Sequence, residues 1–304
     1  MTRVLTLTAF CDRLPARTNV IMELKLKKPD SALIIGLCVG FAAMAVTLGM
    51  ILLFLSGSNT SHEEEKTETT ASYVSSLPPN PFTPDDFSFD GDYLTCNAMP
   101  SVLGIDISRF QGEIDWQQVR QAGVEFVMLR VGGRGYGQDG AIYEDSMAQQ
   151  NYLGAKQAGL KVGAYFFSQA TNAEEAQQEA DFLLQHISDW KLDMPVVFDW
   201  ENMGAGSRTE NVDTKTLVSC TIAFCEMIRR TGRTPMVYFN PDQAEDPYYL
   251  ESLQQYDFWL AFYTQEMTFP YRVDMWQYTN NGTVPGINAP VDLNLYFPYI
   301  KNQS

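Results

Sequence analysis

The sequence has very few of the residues on which metal binding and nucleophilic catalysis most often depend. Only two of its 304 residues are histidines, His62 and His186. His62 lies in a charged stretch of low complexity. His186 follows an apolar helical pattern, so we predict that it lies at the end of a helix. So few histidines argue strongly against a Ser-His-Asp triad and against a His-rich zinc site.

Cysteine is also scarce, with five residues and no CxxC pair. Cys220 and Cys225 fall on one predicted helix, roughly 140° apart around its axis, so they are not expected to bond to each other. We therefore predict packed thiols and no disulfide framework.

Basic residues are outnumbered by acidic ones, 21 against 37, which gives a formal net charge of -16. A nucleic-acid-binding domain normally presents a basic face, so we expect no nucleic-acid partner. Acidity also promotes solubility, so the charge alone does not identify a partner. The hydrophobic fraction of 45% is sufficient for a folded core.

One long hydrophobic run carries no charge over 24 positions, residues 32–55. A helix that spans a bilayer needs about 20 apolar residues, whereas the apolar part of a cleavable signal peptide has only about 7–15. The flank before the run is basic and the flank after it is acidic. The positive-inside rule therefore predicts a single-pass cell-membrane protein, with a cytoplasmic tail over residues 1–31 and all later residues outside the cell.

The segment that follows, residues 56–100, is rich in Ser, Thr, Glu, Pro and Asp, and no apolar period is sustained in it. This composition predicts a flexible extracellular stalk. The hydrophobic pattern becomes regular after this segment, and we expect the globular domain to occupy residues 101–304.

Short β-rich runs alternate with helical patterns in the globular part, and several helical patterns end in glycine just before a strand. This alternation predicts a parallel sheet with crossover helices, and eight strands predict a TIM-like β/α barrel. The last three strands leave little room for helices, so we expect a reduced set of helices. An open doubly wound sheet is the alternative, although no glycine-rich phosphate fingerprint follows the first strand. The predicted strands are 103–108, 126–132, 161–168, 194–201, 234–240, 257–263, 273–279 and 291–297.

Carboxylates stand near the ends of three predicted strands, where a β/α barrel carries its chemistry. Asp106 belongs to the first strand, Asp199 and Glu201 to the fourth, and Asp292 to the eighth. One acid at a strand end is also compatible with a solvated residue or a helix cap. Asp199 and Glu201 are two positions apart, however, and should project from the same face of the strand. We expect Asp106 and Asp292 to lie side by side at the opening of the barrel, because the first and last strands of a closed barrel are neighbours.

Clustered carboxylates without histidine or cysteine beside them indicate either glycoside hydrolysis or an oxygen-ligated metal site. Aromatic residues at the strand exits favour the first, because sugar rings stack their apolar faces on aromatic side chains. We therefore predict a carbohydrate substrate, with no metal and no cofactor. The aromatic residues at these exits are Tyr165, Phe167, Tyr238, Trp276 and Tyr278.

Five motifs resemble, in order and spacing, those of glycoside hydrolase family 25, the Chalaropsis-type lysozymes. They are GIDISRFQGEIDW, FVMLRVGGRGYG, AGLKVGAYFFSQA, VVFDWEN and MWQYTNNGTVPGINAPVDLN, and the resemblance covers about residues 102–300. It implies an eight-stranded β/α barrel and hydrolysis of the β-1,4 bond between N-acetylmuramic acid and N-acetylglucosamine in peptidoglycan, in cell-wall remodelling or degradation. Where many members have Trp or Tyr before the Gln-Gly of the first motif, this chain keeps an aromatic ring in Phe110.

The resemblance also implies roles for the four acids. Glu201 matches the proton donor, and Asp199 matches its partner in the Asp-x-Glu pair. Asp106 and Asp292 match the acids of the opening and closing motifs. The predicted substrate-binding residues are Tyr165, Phe167, Tyr238, Trp276, Gln277 and Asn294.

Three other functions share part of these features. A non-catalytic peptidoglycan-binding surface protein would use the same groove, but the four unsubstituted acids favour an enzyme. A chitinase-like hydrolase would carry a longer Asp-x-Asp-x-Glu run, and this chain has Val197 at the first of those positions. A metal-dependent deacetylase would need histidines near the acids.

Overall fold

Eight strands close into a barrel in the computed structural model, which describes residues 76–302. All eight predicted strands are present, so the barrel is confirmed and the open sheet is excluded. The strands in chain order are β1 (Phe87–Asp90), β2 (Tyr93–Cys96), β3 (Val102–Ile107), β4 (Phe126–Arg134), β5 (Ile142–Glu144), β6 (Lys161–Ser168), β7 (Val196–Trp200), β8 (Pro235–Phe239), β9 (Asp257–Ala261), β10 (Met275–Gly282) and β11 (Val291–Tyr296).

The barrel order is β3-β4-β6-β7-β8-β9-β10-β11, and pairing of β11 with β3 closes it. The first seven of these strands are parallel, but β11 runs antiparallel to both of its neighbours. The uniformly parallel barrel predicted from the sequence is therefore corrected at its last strand. Only residues 283–290 connect β10 to β11. A parallel return needs a crossover of about a dozen residues or more, so the chain turns back instead.

Five α-helices lie among the described residues, and all of them precede β9. The absence of a helix between β9 and β11 in this part of the chain confirms the predicted reduced helical coat. The longest helix begins where the Asp213 side chain accepts a hydrogen bond from the Thr216 N–H (2.7 Å), a standard N-cap. The helices are α1 (Trp116–Gln121), α2 (Ala148–Gln157), α3 (Ala173–His186), α4 (Thr214–Arg230) and α5 (Pro247–Leu253).

The side chains of each barrel strand alternate between two hydrophobic regions, as the geometry of a strand requires. On β7, Val196, Phe198 and Trp200 pack into the layer between barrel and helices, whereas Val197 points into the barrel. Gly104 is required on the inner face, because a Cβ there would collide with the ring of Phe126. The interior of the barrel is thus a filled core, and a cavity opens at the end where the parallel strands finish.

Residues 76–100 are folded against the domain, so the stalk predicted over 56–100 is corrected for this part. β1 and β2 form an antiparallel hairpin on the outer face of the barrel. The Phe87 ring packs edge-on against Trp276, with the ring centroids 5.2 Å apart, and Leu94 is also buried. The two strands are only four residues long. Such short strands in a polar context leave no sustained apolar period in the sequence.

The predicted cytoplasmic tail (1–31), transmembrane helix (32–55) and first part of the stalk (56–75) lie outside the described residues. Within residues 76–302, no helix combines the length and the apolar character needed to cross a membrane.

The histidine and the cysteines for which the sequence predicted a position lie where it was predicted. His186 is the last residue of α3, and its Nδ1 lies 2.7 Å from the Phe182 carbonyl oxygen. Cys220 and Cys225 are free thiols, fully buried in α4. The prediction of packed thiols is confirmed for these two cysteines.

Candidate active site

A cavity of about 220 Å³ opens at the end of the barrel where the parallel strands finish. All four predicted acids line it: Asp106, Asp199, Glu201 and Asp292. The predicted contacts Tyr165, Phe167, Tyr238 and Gln277 line it as well. The other lining residues are Ser108, Phe110, Gln111, Arg130, Trp259 and Tyr263.

Strand β7 brings Asp199 and Glu201 to the same wall of the cavity. Asp199 is the fourth of its five residues, and Glu201 follows its end. Between them, Trp200 points to the outer layer, where its Nε1–H donates to the Ala170 carbonyl oxygen at 2.9 Å. The predicted alternation is therefore confirmed, and the two acids are adjacent in space although a tryptophan separates them in sequence.

Asp292 and Asp106 are direct partners in the register of β11 and β3. Their predicted proximity is confirmed, but the reason differs from the prediction. Because β11 is antiparallel, Asp292 reaches the cavity from the beginning of its strand and not from its exit. Asn294 is two residues further along, opposite Gly104, and is therefore deeper in the barrel.

Asp106 is held by two side-chain amides. Its Oδ2 accepts hydrogen bonds from Nε2 of Gln277 and Nδ2 of Asn294, each at 2.8 Å. The Asn294 amide has a fixed orientation, because its Oδ1 accepts from the indole Nε1–H of Trp259 at 2.8 Å. Asn294 is fully buried and does not line the cavity. Its predicted contact with substrate is thus corrected to a contact with Asp106.

The orientation of the Gln277 amide is fixed in the same way. Its Oε1 accepts from the hydroxyl groups of Tyr263 (3.0 Å) and Tyr238 (3.2 Å), so its NH₂ group must face Asp106. Donation to one carboxylate oxygen from two oriented amides stabilises its ionised form. We infer that Asp106 is the anionic member of its pair with Asp292.

Trp276 is the second predicted contact that the structure places elsewhere. Its side chain is on the outer face of β10, fully buried under the hairpin. Its Nε1–H donates to the Phe262 carbonyl oxygen at 2.7 Å. β10 carries aromatic side chains on its outer face and Gln277 on its inner face, so the residue next to Trp276 is the one that reaches the cavity.

Burial raises the pKa of all four carboxyl groups above the ordinary range. The pKa of Asp199 is raised further by the charges of Glu201 and Asp106, and that of Glu201 by the charge of Asp106. The pKa of Asp292 is raised to about 9, by burial first and then by Asp106. The pKa of Asp106 is also raised by burial, and its two amide partners oppose this rise. The cluster therefore retains protons at neutral pH.

Arg130 brings a positive charge into this acidic cavity. It is on β4, faces inward two positions after Met128, and its Nε–H donates to Asp145 Oδ2 at 2.8 Å. Its charge lowers the pKa of Asp199, against the dominant effect of burial. The ring of Phe110 covers the guanidinium at 5.0 Å. Arg130 is not among the residues predicted from the sequence, although an arginine at an inward position of an otherwise apolar strand was a usable signal.

The raised pKa of Asp292 predicts a pH-dependent cost in stability. The folded state binds this proton more tightly than the unfolded chain, in which the pKa of Asp is about 3.9. The stability from Asp292 is thus lost as pH rises towards about 9. Asp292→Asn keeps a donor for Asp106 and removes this titration. We expect its free energy of unfolding to fall less between pH 5 and pH 8 than that of the wild type, in urea denaturation.

Exposed Asp189 provides the control, because Asp189→Asn changes the same chemical group outside the cavity. This variant should follow the wild-type pH dependence. An Asp292→Asn variant that also follows it would contradict the raised pKa of Asp292.

Among residues 76–302, no group of three or more His, Cys, Asp and Glu side chains is arranged to hold a metal ion. The arrangement in the cavity is instead two pairs of acids, Asp199 with Glu201 and Asp106 with Asp292. Such a site can give a proton to one atom of a ligand and place a negative charge near another.

Comparison with known proteins agrees with this geometry. The model of the family described as "Glycosyl hydrolases family 25" matches residues 105–287. Lysozyme M1 of Streptomyces globisporus is 28% identical over 216 residues, which are 64% of this chain and 67% of the relative. The uncharacterized protein YegX of Escherichia coli O6:H1 is 30% identical over 66% of this chain and 71% of its own length. The structure of a bacterial lysozyme from Streptomyces coelicolor superposes with a TM-score of 0.55, at 25% identity over 64% of this chain and 91% of the other.

Proposed function

The chain belongs to glycosyl hydrolases family 25, and from this membership and the acidic cavity we propose that it is a lysozyme (N-acetylmuramidase). Its substrate is peptidoglycan, in which it hydrolyses the β-1,4 bond between N-acetylmuramic acid and N-acetylglucosamine. The lysozymes among its relatives support this assignment. One observation carries it: four carboxyl groups with raised pKa values meet in one cavity walled by aromatic residues. Glycoside hydrolysis requires a protonated acid and an anionic carboxylate on opposite sides of one bond.

Glu201 is the proton donor in this proposal. A general acid works best when its pKa is near the working pH, and the pKa of Glu201 is raised by burial and by the charge of Asp106. Glu201 is less buried than Asp199, so its proton is the more accessible to a bound ligand. It would protonate the glycosidic oxygen as the bond to the sugar breaks.

Asp199 is the anionic partner. The charge of Arg130 favours its ionised form, against burial and the charges of Glu201 and Asp106, which raise the pKa of Asp199 well above the ordinary range. Asp199 Oδ1 accepts no hydrogen bond from the described part of the chain, so its negative charge is not neutralised by a donor at that atom. It would stabilise the positive charge that develops on the sugar, or orient the 2-acetamido group of the substrate for attack on that carbon.

Asp106 and Asp292 act on the pair without touching the bond that breaks. The Asp106 anion is held by two amides and raises the pKa of Glu201 through its charge. Asp292 keeps its proton because its pKa is raised to about 9. A neutral Asp292 beside Asp106 limits the negative charge that the cavity must hold.

Aromatic rings complete the proposed sugar site. Tyr165, Phe167 and Tyr238 line the cavity, and Phe110 stands at its mouth with 67% of its surface exposed. Aromatic side chains supply large apolar faces with a defined geometry, which suits the stacking of sugar rings.

Product analysis tests this function. The full-length protein is incubated with purified peptidoglycan, and the released fragments are reduced and identified by mass spectrometry. A muramidase leaves N-acetylmuramic acid at the new reducing ends. N-acetylglucosamine at those ends would contradict the proposed bond. Binding without any new reducing end would instead support the alternative of a non-catalytic peptidoglycan-binding surface protein.

We also propose that residues 32–55 anchor the protein in the cell membrane, with the hydrolase domain outside. The uncharged run of 24 residues between a basic and an acidic flank supports this location. An anchored muramidase would cleave wall close to its own membrane, in remodelling or division. We expect the protein in the membrane fraction of intact cells, with the domain digested by external protease. Recovery of a cleaved, soluble form from the medium would contradict the anchor.

A further inference from the structure

We propose that a second cavity beside the catalytic one is a saccharide subsite, which binds a neutral N-acetylated sugar of the glycan strand that the enzyme cleaves. This cavity, here called the hairpin pocket, is lined by Phe89, Asp92, Tyr263, Gln265, Asn281 and Thr283 among others. The inference rests on the proposed function, since it extends the substrate of the same site.

The hairpin pocket is larger than the catalytic cavity, at about 600 Å³ against about 220 Å³. Pockets for small organic ligands fall mostly between about 300 and 1,000 Å³. The catalytic cavity alone is therefore small for a ligand that extends on both sides of the bond to be cleaved. The hairpin pocket offers the additional volume directly beside it.

Tyr263 joins the two spaces. It lines both cavities, and its hydroxyl donates to Gln277, the same amide that holds Asp106. A glycan strand that leaves the catalytic cavity on the side of β9 and β10 would pass Tyr263 and enter the hairpin pocket. One aromatic side chain would thus contact neighbouring sugars of a single ligand.

One wall of the pocket comes from outside the family-defining region. Phe89 and Asp92 belong to the β1–β2 hairpin, which precedes the match to residues 105–287.

The hairpin is fixed to the barrel by Phe87 and by the Leu94 N–H, which donates to the Tyr278 hydroxyl at 3.4 Å. Phe89 itself is 48% exposed and is not needed for this packing. It is an aromatic ring at the edge of a cavity, carried by a hairpin that packs on the barrel.

The chemistry of the lining favours a neutral sugar. No lysine, arginine or histidine lines the pocket, and Asp92 adds a negative charge. An anionic ligand, such as the carboxylates of a stem peptide, would be repelled there. The amides of Gln265 and Asn281 and the hydroxyl of Thr283 can pair with sugar hydroxyl and acetamido groups. The rings of Phe89 and Tyr263 provide the apolar faces, and Tyr263 is 53% exposed.

The test compares Phe89→Ala with the wild type in the full-length protein, on glycan strands from which the stem peptides have been removed. Long strands have sugars beyond the bond to be cleaved and can fill both cavities, whereas the disaccharide of N-acetylmuramic acid and N-acetylglucosamine contains only that bond and ends there. We expect Phe89→Ala to lower the ratio of kcat/KM for long strands to that for the disaccharide by about five- to tenfold, as for the loss of one stacked ring. Tyr299→Ala is the matched control, since Tyr299 is an exposed aromatic residue that follows β11 at the other end of the barrel.

An unchanged ratio for Phe89→Ala would overturn the subsite. A ratio that falls only when stem peptides are left on the strands would also overturn it, because the occupant would then be the peptide. If the wild type cleaves neither substrate, the proposed function fails. In that case, the affinity of the protein for long strands, measured with and without Phe89→Ala, still decides whether the pocket binds sugars.

Discussion

Replacing Glu201 with glutamine is expected to reduce peptidoglycan hydrolysis by roughly a thousandfold, within the range of about 10²–10⁴ for the loss of a general acid. Glutamine keeps the size of the side chain and its capacity for hydrogen bonds, but it has no proton to give to the glycosidic oxygen. It also removes a charge that raises the pKa of Asp199, so the fold should not suffer. The rate of appearance of new reducing ends is the measurement.

The matched control is Glu125→Gln, which makes the same change at an exposed position. This variant should retain wild-type activity. Binding of glycan strands by Glu201→Gln should remain close to that of the wild type, because the rest of the cavity is intact. Equal hydrolysis by Glu201→Gln and the wild type would refute the role of Glu201 as proton donor.

Replacing Trp276 with alanine is expected to destabilise the domain by about 3–5 kcal/mol, the usual cost of truncating a buried tryptophan. The indole is fully buried, lies 5.2 Å from Phe87 and 5.9 Å from Tyr278 by ring centroid, and donates to Phe262. Its removal leaves a cavity between the hairpin and the barrel. The Phe262 carbonyl oxygen also loses one of its two donors and keeps the Thr264 N–H at 2.9 Å. Urea denaturation of the full-length protein measures the change in the free energy of unfolding.

Phe110→Ala is the contrasting variant, since Phe110 is an exposed aromatic residue at the mouth of the catalytic cavity. It should raise KM with little effect on stability. If Trp276 contacted the sugar, as its position in the sequence motif implies, Trp276→Ala would raise KM and leave the stability nearly unchanged. A packing role thus predicts loss of stability for Trp276→Ala, and a binding role predicts a raised KM for Phe110→Ala.

Residues 76–100 illustrate why the limits of the domain were difficult to predict. The sequence there is polar, and its apolar residues have no regular spacing. Leu77, Phe82, Phe87, Leu94 and Met99 are nevertheless buried, because each meets the barrel at a different place. Partners that are distant in sequence determine this burial, so local periodicity gave no sign of it.

The eight strands and the meeting of the four acids were predictable from local patterns. Apolar strands alternating with helices favour a closed barrel, and alternation on β7 places Asp199 and Glu201 together whatever the rest of the chain does. These features depend on neighbouring residues within one element. They are therefore properties of the sequence by itself.

The tertiary structure alone decided the direction of β11, the outer position of Trp276, the buried position of Asn294 and the packing of the hairpin. Both faces of β10 are buried, so hydrophobicity does not distinguish the face towards the barrel axis from the face towards the hairpin. Closure of the barrel sets that choice through the pairing of β11 with β3. The sequence thus determined which residues could form the site, and long-range pairing determined which of them reach it.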